Sequence, residues 1–231
     1  MYFYACSFYI ASEERMPMQT SWRPLERRVY VLDYMPSGNP LDKHAQHRNT
    51  PLIQALGADF FLLLELVPLS EVQIKVSPGE VIELENFKDS LKVMKEPITF
   101  NDLTSTARGN IREAIERIIR EEEKDFVEFF NKAQPITIKL HSLELIPSIG
   151  KKLVREILEE RRKSPFLSFE DMEKRLSKYK IKPIEIIYKR IFEELQGNEK
   201  YYLFVYPYHS QGDFLNALGK LKRGEGSQQR S

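Results

Sequence analysis

The sequence predicts an α+β fold in which a small β-barrel precedes a helical region. Three observations carry this. Residues 21–100 hold short alternating or β-branched runs split by Pro, Gly and Asn. Residues 101–134 carry apolar side chains at helical spacing. Residues 135–197 repeat short helical patterns fenced by Pro, Gly or Ser.

In chain order, residues 1–20 read as a flexible N-terminal extension. Their opening, "MYFYACSFYIASEER", has no basic start and no cleavage site, which argues against a signal peptide. Met16 and Met18 are alternative starts. "RRVYVLDY" alternates and reads as a strand, and Pro36, Gly38, Asn39 and Pro40 then force a loop. "ADFFLLLELVPL" is a long apolar strand buried on both faces. "EVQIKV", the turn "SPGE", "EVIELE" and "KVMKEPITF" supply the remaining strands. In the connecting helices, Ile111, Ile115, Ile118, Ile119, Phe126, Phe129 and Phe130 share a face, and the three phenylalanines are expected in the core. Arg108-Gly109-Asn110 marks the longer helix's start, with Thr104 or Thr106 as its cap. Four short helices follow: "TIKLHSLELIP", "KKLVREILEERRK", "SFEDMEKRLSKY" and "PIEIIYKRIFEELQ". Ser168 caps the third, with Asp171 three residues on, and Gly197 ends the fourth. Residues 198–208 hold a lone strand that returns to the barrel, and 209–231 read as a disordered basic tail.

Composition excludes several classes. Cys6 is the one cysteine, which rules out an internal disulfide framework and fits a reducing cytoplasm. No apolar run has the length of a transmembrane helix, so no membrane partner is expected. Abundant Glu, Lys and Ile fit a hot environment. Net charge is only +1, but its distribution is uneven: Glu113–Glu128 carries net −4, Pro147–Lys163 net +3 and Met172–Arg190 net +5. A basic face on a neutral protein is a footprint for a polyanion, although solvated helices with paired charges produce the same pattern.

The informative stretch is "LHSLELIPSIGKKLVREILEERR". It resembles the helix-hairpin-helix motif, which grips nucleic-acid backbone. Pro147 stops a helix, and Ile146 and Ile149 bury the hairpin. Gly150 supplies the tight turn, and the next helix offers unpaired amides and its positive dipole end to a phosphate. Lys151, Lys152 and Arg155 add charge there, with Arg161 and Arg162 extending the basic face. Ser148 replaces the motif's usual first glycine. Such a site reads phosphate rather than sequence. "FLSFEDMEKRLSKYKIKPIEIIYKRIFEEL" resembles a second unit, with Lys180 and Lys182 as auxiliary contacts.

From about Glu26 to Leu195 the chain resembles the archaeal DUF655 family, on "RRVYVLDYMPSGNP", "LGADFFLLLELVP", "ITFNDLTSTAR" and "LELIPSIGKK". The resemblance implies an OB-like barrel over 21–100, tandem helix-hairpin-helix units over 135–197, and a non-enzymatic RNA-binding role. Ribosomal RNA or a ribosomal subunit is the implied partner, with ribosomal proteins as further candidates. No cofactor or catalytic residue is implied.

In the OB-like reading, "MPSGNPLDKHAQHR" is the long connection after the first strand. Tyr30 and Tyr34 are placed to stack on bases, and Lys43, His44, His47 and Arg48 to meet phosphates. Two other readings of the loop stand beside this: a purely structural loop, and a metal-dependent nuclease centre built on Asp42, His44 and His47, which lacks a third close His or Cys. A DNA-binding repair or recombination accessory is the other nucleic-acid alternative.

Overall fold

The computed structural model describes residues 26–40, 45–69 and 76–220. Five strands form one antiparallel sheet: β1 (Arg28–Met35), β2 (Leu52–Gly57), β3 (Leu63–Pro68), β4 (Val81–Glu83) and β5 (Leu91–Val93), in the order β4-β1-β2-β3-β5. A bulge between Val31 and Asp33 bends β1, and the sheet curls into a half-barrel. Period-2 alternation sorts the side chains. Val29, Val31, Ile53, Ala55, Leu64 and Leu66 pack together inside the curl. Tyr30, Leu32, Leu56 and Leu63 face the helices. β2 and β3 up to Leu66 are buried on both faces, but the expected long strand "ADFFLLLELVPL" forms only over Leu63–Pro68, because Ala58–Phe60 bend away after β2 and Phe61 takes φ +55°.

α1 (Ser105–Glu121) lies against β1, and α2 (Glu123–Lys132) follows a break at Glu122. The Thr104 hydroxyl accepts the Ala107 N–H at 3.0 Å, so the helix starts ahead of Arg108 and Gly109, which lie inside it. Phe126, Phe129 and Phe130 are core residues, and Phe204 meets Phe126 and Phe129 edge to face.

The first expected short helix does not form. "TIKLHSLELIP" makes a hairpin, β6 (Pro135–Thr137) with β7 (Leu140–His141), then one 3-10 turn at Ser142–Leu145. Local polar bonds decide this. The Thr137 hydroxyl accepts the N–H groups of Lys139 and Leu140, and Ser142 donates its hydroxyl to the Gln134 carbonyl. The other three helices form as α3 (Lys151–Lys163), α4 (Phe169–Arg175) and α5 (Pro183–Leu195). Ser168 caps α4, and Gly197 follows α5 at φ +84°.

The "KYYLFVYPY" strand shrinks to β8 (Tyr201–Tyr202), which pairs in parallel with β9 (Asp213–Phe214) rather than returning to the sheet. Its backbone donors are used elsewhere. The buried Glu194 carboxylate accepts the N–H groups of Leu203, Phe204 and Val205 at 2.7–2.9 Å. Tyr206 donates to the Phe60 carbonyl. Residues 209–220, expected to belong to a disordered tail, are held against the protein. Leu215 and Ala217 bond back to Tyr202 and Leu203, and Lys220 pairs with Glu122 and Asp125 at 2.6 and 2.8 Å. Residues 1–20, most of "EVQIKV" and 221–231 lie outside the described residues. One apolar cluster runs from Tyr30 through the helices to Val205, so the sheet and helices share a core.

Candidate nucleic-acid interface

His141 and Glu144 cap the 3-10 turn that leads into the hairpin. The His141 Nδ1 accepts the Leu143 N–H at 3.2 Å, and Glu144 accepts the His141 N–H at 2.9 Å. This fixes the imidazole as a structural group, and burial holds its pKa below the ordinary histidine value. Ile146 and Ile149 are buried and joined by an Ile149 N–H bond to the Ile146 carbonyl. The tight turn falls at Ser148, with φ +70°, and not at Gly150, which is extended at φ −92° and serves as the N-cap of α3. A serine in the left-handed region costs about 1–2 kcal/mol. Nothing lies within 4 Å of where a side chain at Gly150 would stand, and Gly150, Lys151 and Lys152 are all exposed.

Among the described residues no side chain caps α3, and no acid sits in its first turn. Lys151, Lys152 and Arg155 are exposed, and none forms an ion pair among the described residues. Leu153, Val154 and Ile157 pack inward on the opposite face. A helix N-terminus with free donors and three free cations is therefore presented outward. Arg162, Lys178 and Lys180 are likewise exposed and without ion pairs among the described residues, and Lys180 adopts φ +50°.

Three expected contacts are placed otherwise. Arg161 turns inward and donates to the carbonyls of Phe130 and Ala133, closing the end of α2. Lys182 is paired with Glu173 at 2.5 Å. Tyr30 is fully buried and cannot stack on a base: its hydroxyl donates to Glu121, and Arg28 and Arg117 lie over its ring. Burial and that carboxylate acceptor raise its pKa. Tyr34 is half-buried against the barrel interior.

The loop after β1 divides in the same way. Arg48 is exposed. His47 is 3% exposed, with Nδ1 at 3.3 Å from Glu65 Oε2, so it anchors the loop instead of meeting phosphate. Asp42, Lys43 and His44 lie outside the described residues. Among the described residues no cluster of three or more His, Cys, Asp or Glu side chains is arranged to hold a metal. No helix among them is long and apolar enough to cross a membrane.

Sequence reasoning missed a buried polar network beneath this loop. Gln54 donates to Glu65 at 3.2 Å and to the Asp102 carbonyl at 3.0 Å, and accepts the Thr104 N–H at 2.9 Å. Thr104 donates its hydroxyl to Asp33 at 2.6 Å. The network ties β1, β2 and β3 to the start of α1. Its signal was present as single polar residues, Gln54 and Glu65, inside otherwise apolar strands.

The uncharacterized protein MJ0038 of Methanocaldococcus jannaschii is 39% identical over 199 residues, covering 84% of this chain and 87% of its own. The crystal structure of Af1531 from Archaeoglobus fulgidus, itself assigned to DUF655, matches with a TM-score of 0.68 at 38% identity, covering 78% of this chain and all of that one. The family described as "protein of unknown function (DUF655)" matches residues 25–206. The chain belongs to the DUF655 family.

Proposed function

We propose that this protein binds RNA without catalysing a reaction, gripping the phosphate backbone at the start of α3. The observation that carries this is the uncapped α3 N-terminus, with Lys151, Lys152 and Arg155 exposed and unpaired beside an open Gly150. Donors and positive charge converge there with no acid to compete. Residues 142–163 are read as a helix-hairpin-helix unit whose first helix is reduced to one 3-10 turn. The curled sheet is read as an OB-like barrel that adds a second surface, through Arg48 and the loop around it. Ribosomal RNA, which the family resemblance implied, is the partner proposed. The nuclease alternative loses support because His47 is buried against Glu65.

The test is fluorescence polarisation of single-stranded RNA and duplex DNA across salt, with wild type and the double variant Lys151→Glu/Lys152→Glu. Two lost phosphate contacts lower the slope of log K against log salt by about 1.4 for single strands. Affinity for RNA is expected to drop at least tenfold at low salt, by roughly 1.4 kcal/mol or more. An unchanged RNA affinity overturns the site. Tighter binding to duplex DNA at equal salt moves the protein to the DNA-binding alternative.

A further inference from the structure

We propose that a cleft at the C-terminal end of α5 takes one unstacked nucleobase of the bound strand; this rests on the RNA-binding reading above. The cleft measures about 230 Å³ and lies where the start of β3, residues 97–101, the end of α5 and residues 205–210 meet. Phe61 is buried at its floor, and Phe100, Tyr206, Tyr208 and His209 line its sides. It is braced rather than loose: the His209 Nε2 donates to the Pro97 carbonyl at 2.6 Å, Ile98 N–H to the Leu63 carbonyl at 2.8 Å, and Tyr206 N–H to the Phe60 carbonyl at 3.0 Å.

Charge narrows the ligand class. Among the described residues Glu194 is the one carboxylate lining the cleft, and it is spent on Arg190 and three backbone amides. No Lys, Arg or Asp lines the cleft among the described residues, and the His209 imidazole is held through Nε2 by the Pro97 carbonyl, so the lining offers no cluster of charge for a phosphate or an ammonium. At the rim stand the side-chain amides of Asn101 and Gln196, exposed and without hydrogen-bond partners among the described residues. Each amide carries donors and an acceptor, the complement of a base edge. The volume is below the roughly 300–1,000 Å³ of sites that enclose drug-sized ligands, so a single ring system fits. A neutral, flat ring with donors and acceptors on its edge, held among aromatic side chains, is how unstacked bases are bound. Thirteen residues of α5 separate the cleft from the Lys180 turn, about 20 Å that a short single strand spans.

The test uses the full-length protein, labelled with ¹⁵N, titrated separately with adenosine, guanosine, cytidine and uridine to millimolar concentration while the side-chain amide signals of Asn101 and Gln196 are followed. At least one nucleoside is expected to shift both signals saturably. Asn101→Ala/Gln196→Ala, at two exposed positions, should weaken that nucleoside and single-stranded RNA, and leave the salt slope of RNA binding unchanged. Tyr208→Ala should weaken both roughly fivefold or more. Silence from all four nucleosides, or unchanged RNA affinity in the Asn101/Gln196 variant, overturns the cleft. If nucleosides bind but Lys151→Glu/Lys152→Glu leaves RNA affinity intact, it is the gripping function that fails, not the cleft.

Discussion

Glu26 gives the stability of this fold an unusual pH dependence. It is 3% exposed, and its Oε1 accepts the N–H groups of Phe60 and Leu62 at 3.0 and 3.1 Å while Oε2 accepts that of Asp59 at 2.7 Å. Gly57 makes room for it, since a side chain there would come within 2.0 Å of the carboxyl. No cation among the described residues pairs with it. Burial therefore wins over the three amides and pushes its pKa up to about 8, with the Asp59 carboxylate adding to the rise. The folded state holds a proton that the unfolded chain has released, so stability is fully present below pH 4.5 and is lost as pH rises through about 8. At about 1.36 kcal/mol per pH unit the loss is roughly 5 kcal/mol across the window. Glu26→Gln has no proton to lose, but its amide nitrogen faces the Asp59 N–H and leaves a donor unmet, at about 1–3 kcal/mol. Urea denaturation of both proteins from pH 5 to pH 9 should show the variant less stable at pH 5. The two curves should converge and cross as pH rises. Buried His141, whose lowered pKa gives an opposite trend at acid pH, is common to both proteins and cancels in the difference. Parallel curves would refute the reasoning.

Other substitutions test other joints. Arg190→Met leaves buried Glu194 without the guanidinium that bonds it at 2.7 Å, and should cost about 3–5 kcal/mol in denaturant titration. Tyr30→Phe removes the hydroxyl bond to Glu121 and should cost about 1 kcal/mol while leaving RNA affinity unchanged; a loss of affinity would restore Tyr30 as a base contact. Ser148→Gly relieves the φ +70° turn and should raise stability by up to about 1 kcal/mol, read as a higher midpoint, with RNA binding retained.

Much of this architecture was legible because apolar period follows backbone period. The alternation of "RRVYVLDY" and the helical spacing from Ile111 to Ile119 each become the expected element. Ser168 and Gly197 mark their helix ends because capping is local chemistry. The failures are long-range. Nothing near Leu203–Val205 shows that Glu194 will take their amides and stop a strand. The sequence around Tyr30 likewise holds no sign that Glu121, 91 residues on, will take its hydroxyl. The basic helix α3 was legible as a patch, but Arg161 and Arg162 look alike in sequence and only packing sends the first inward. The turn of the hairpin is not at the glycine, where the sequence places it: the left-handed residue is Ser148, and Gly150 is an N-cap without a capping side chain.

The most direct test of the RNA-binding account is crosslinking in the native cell, followed by sequencing of the nucleic acid recovered with the protein. The account predicts reads concentrated on a defined region of ribosomal RNA, reduced when Lys151 and Lys152 are both changed to Glu. Reads scattered over DNA, or none above background, would contradict it.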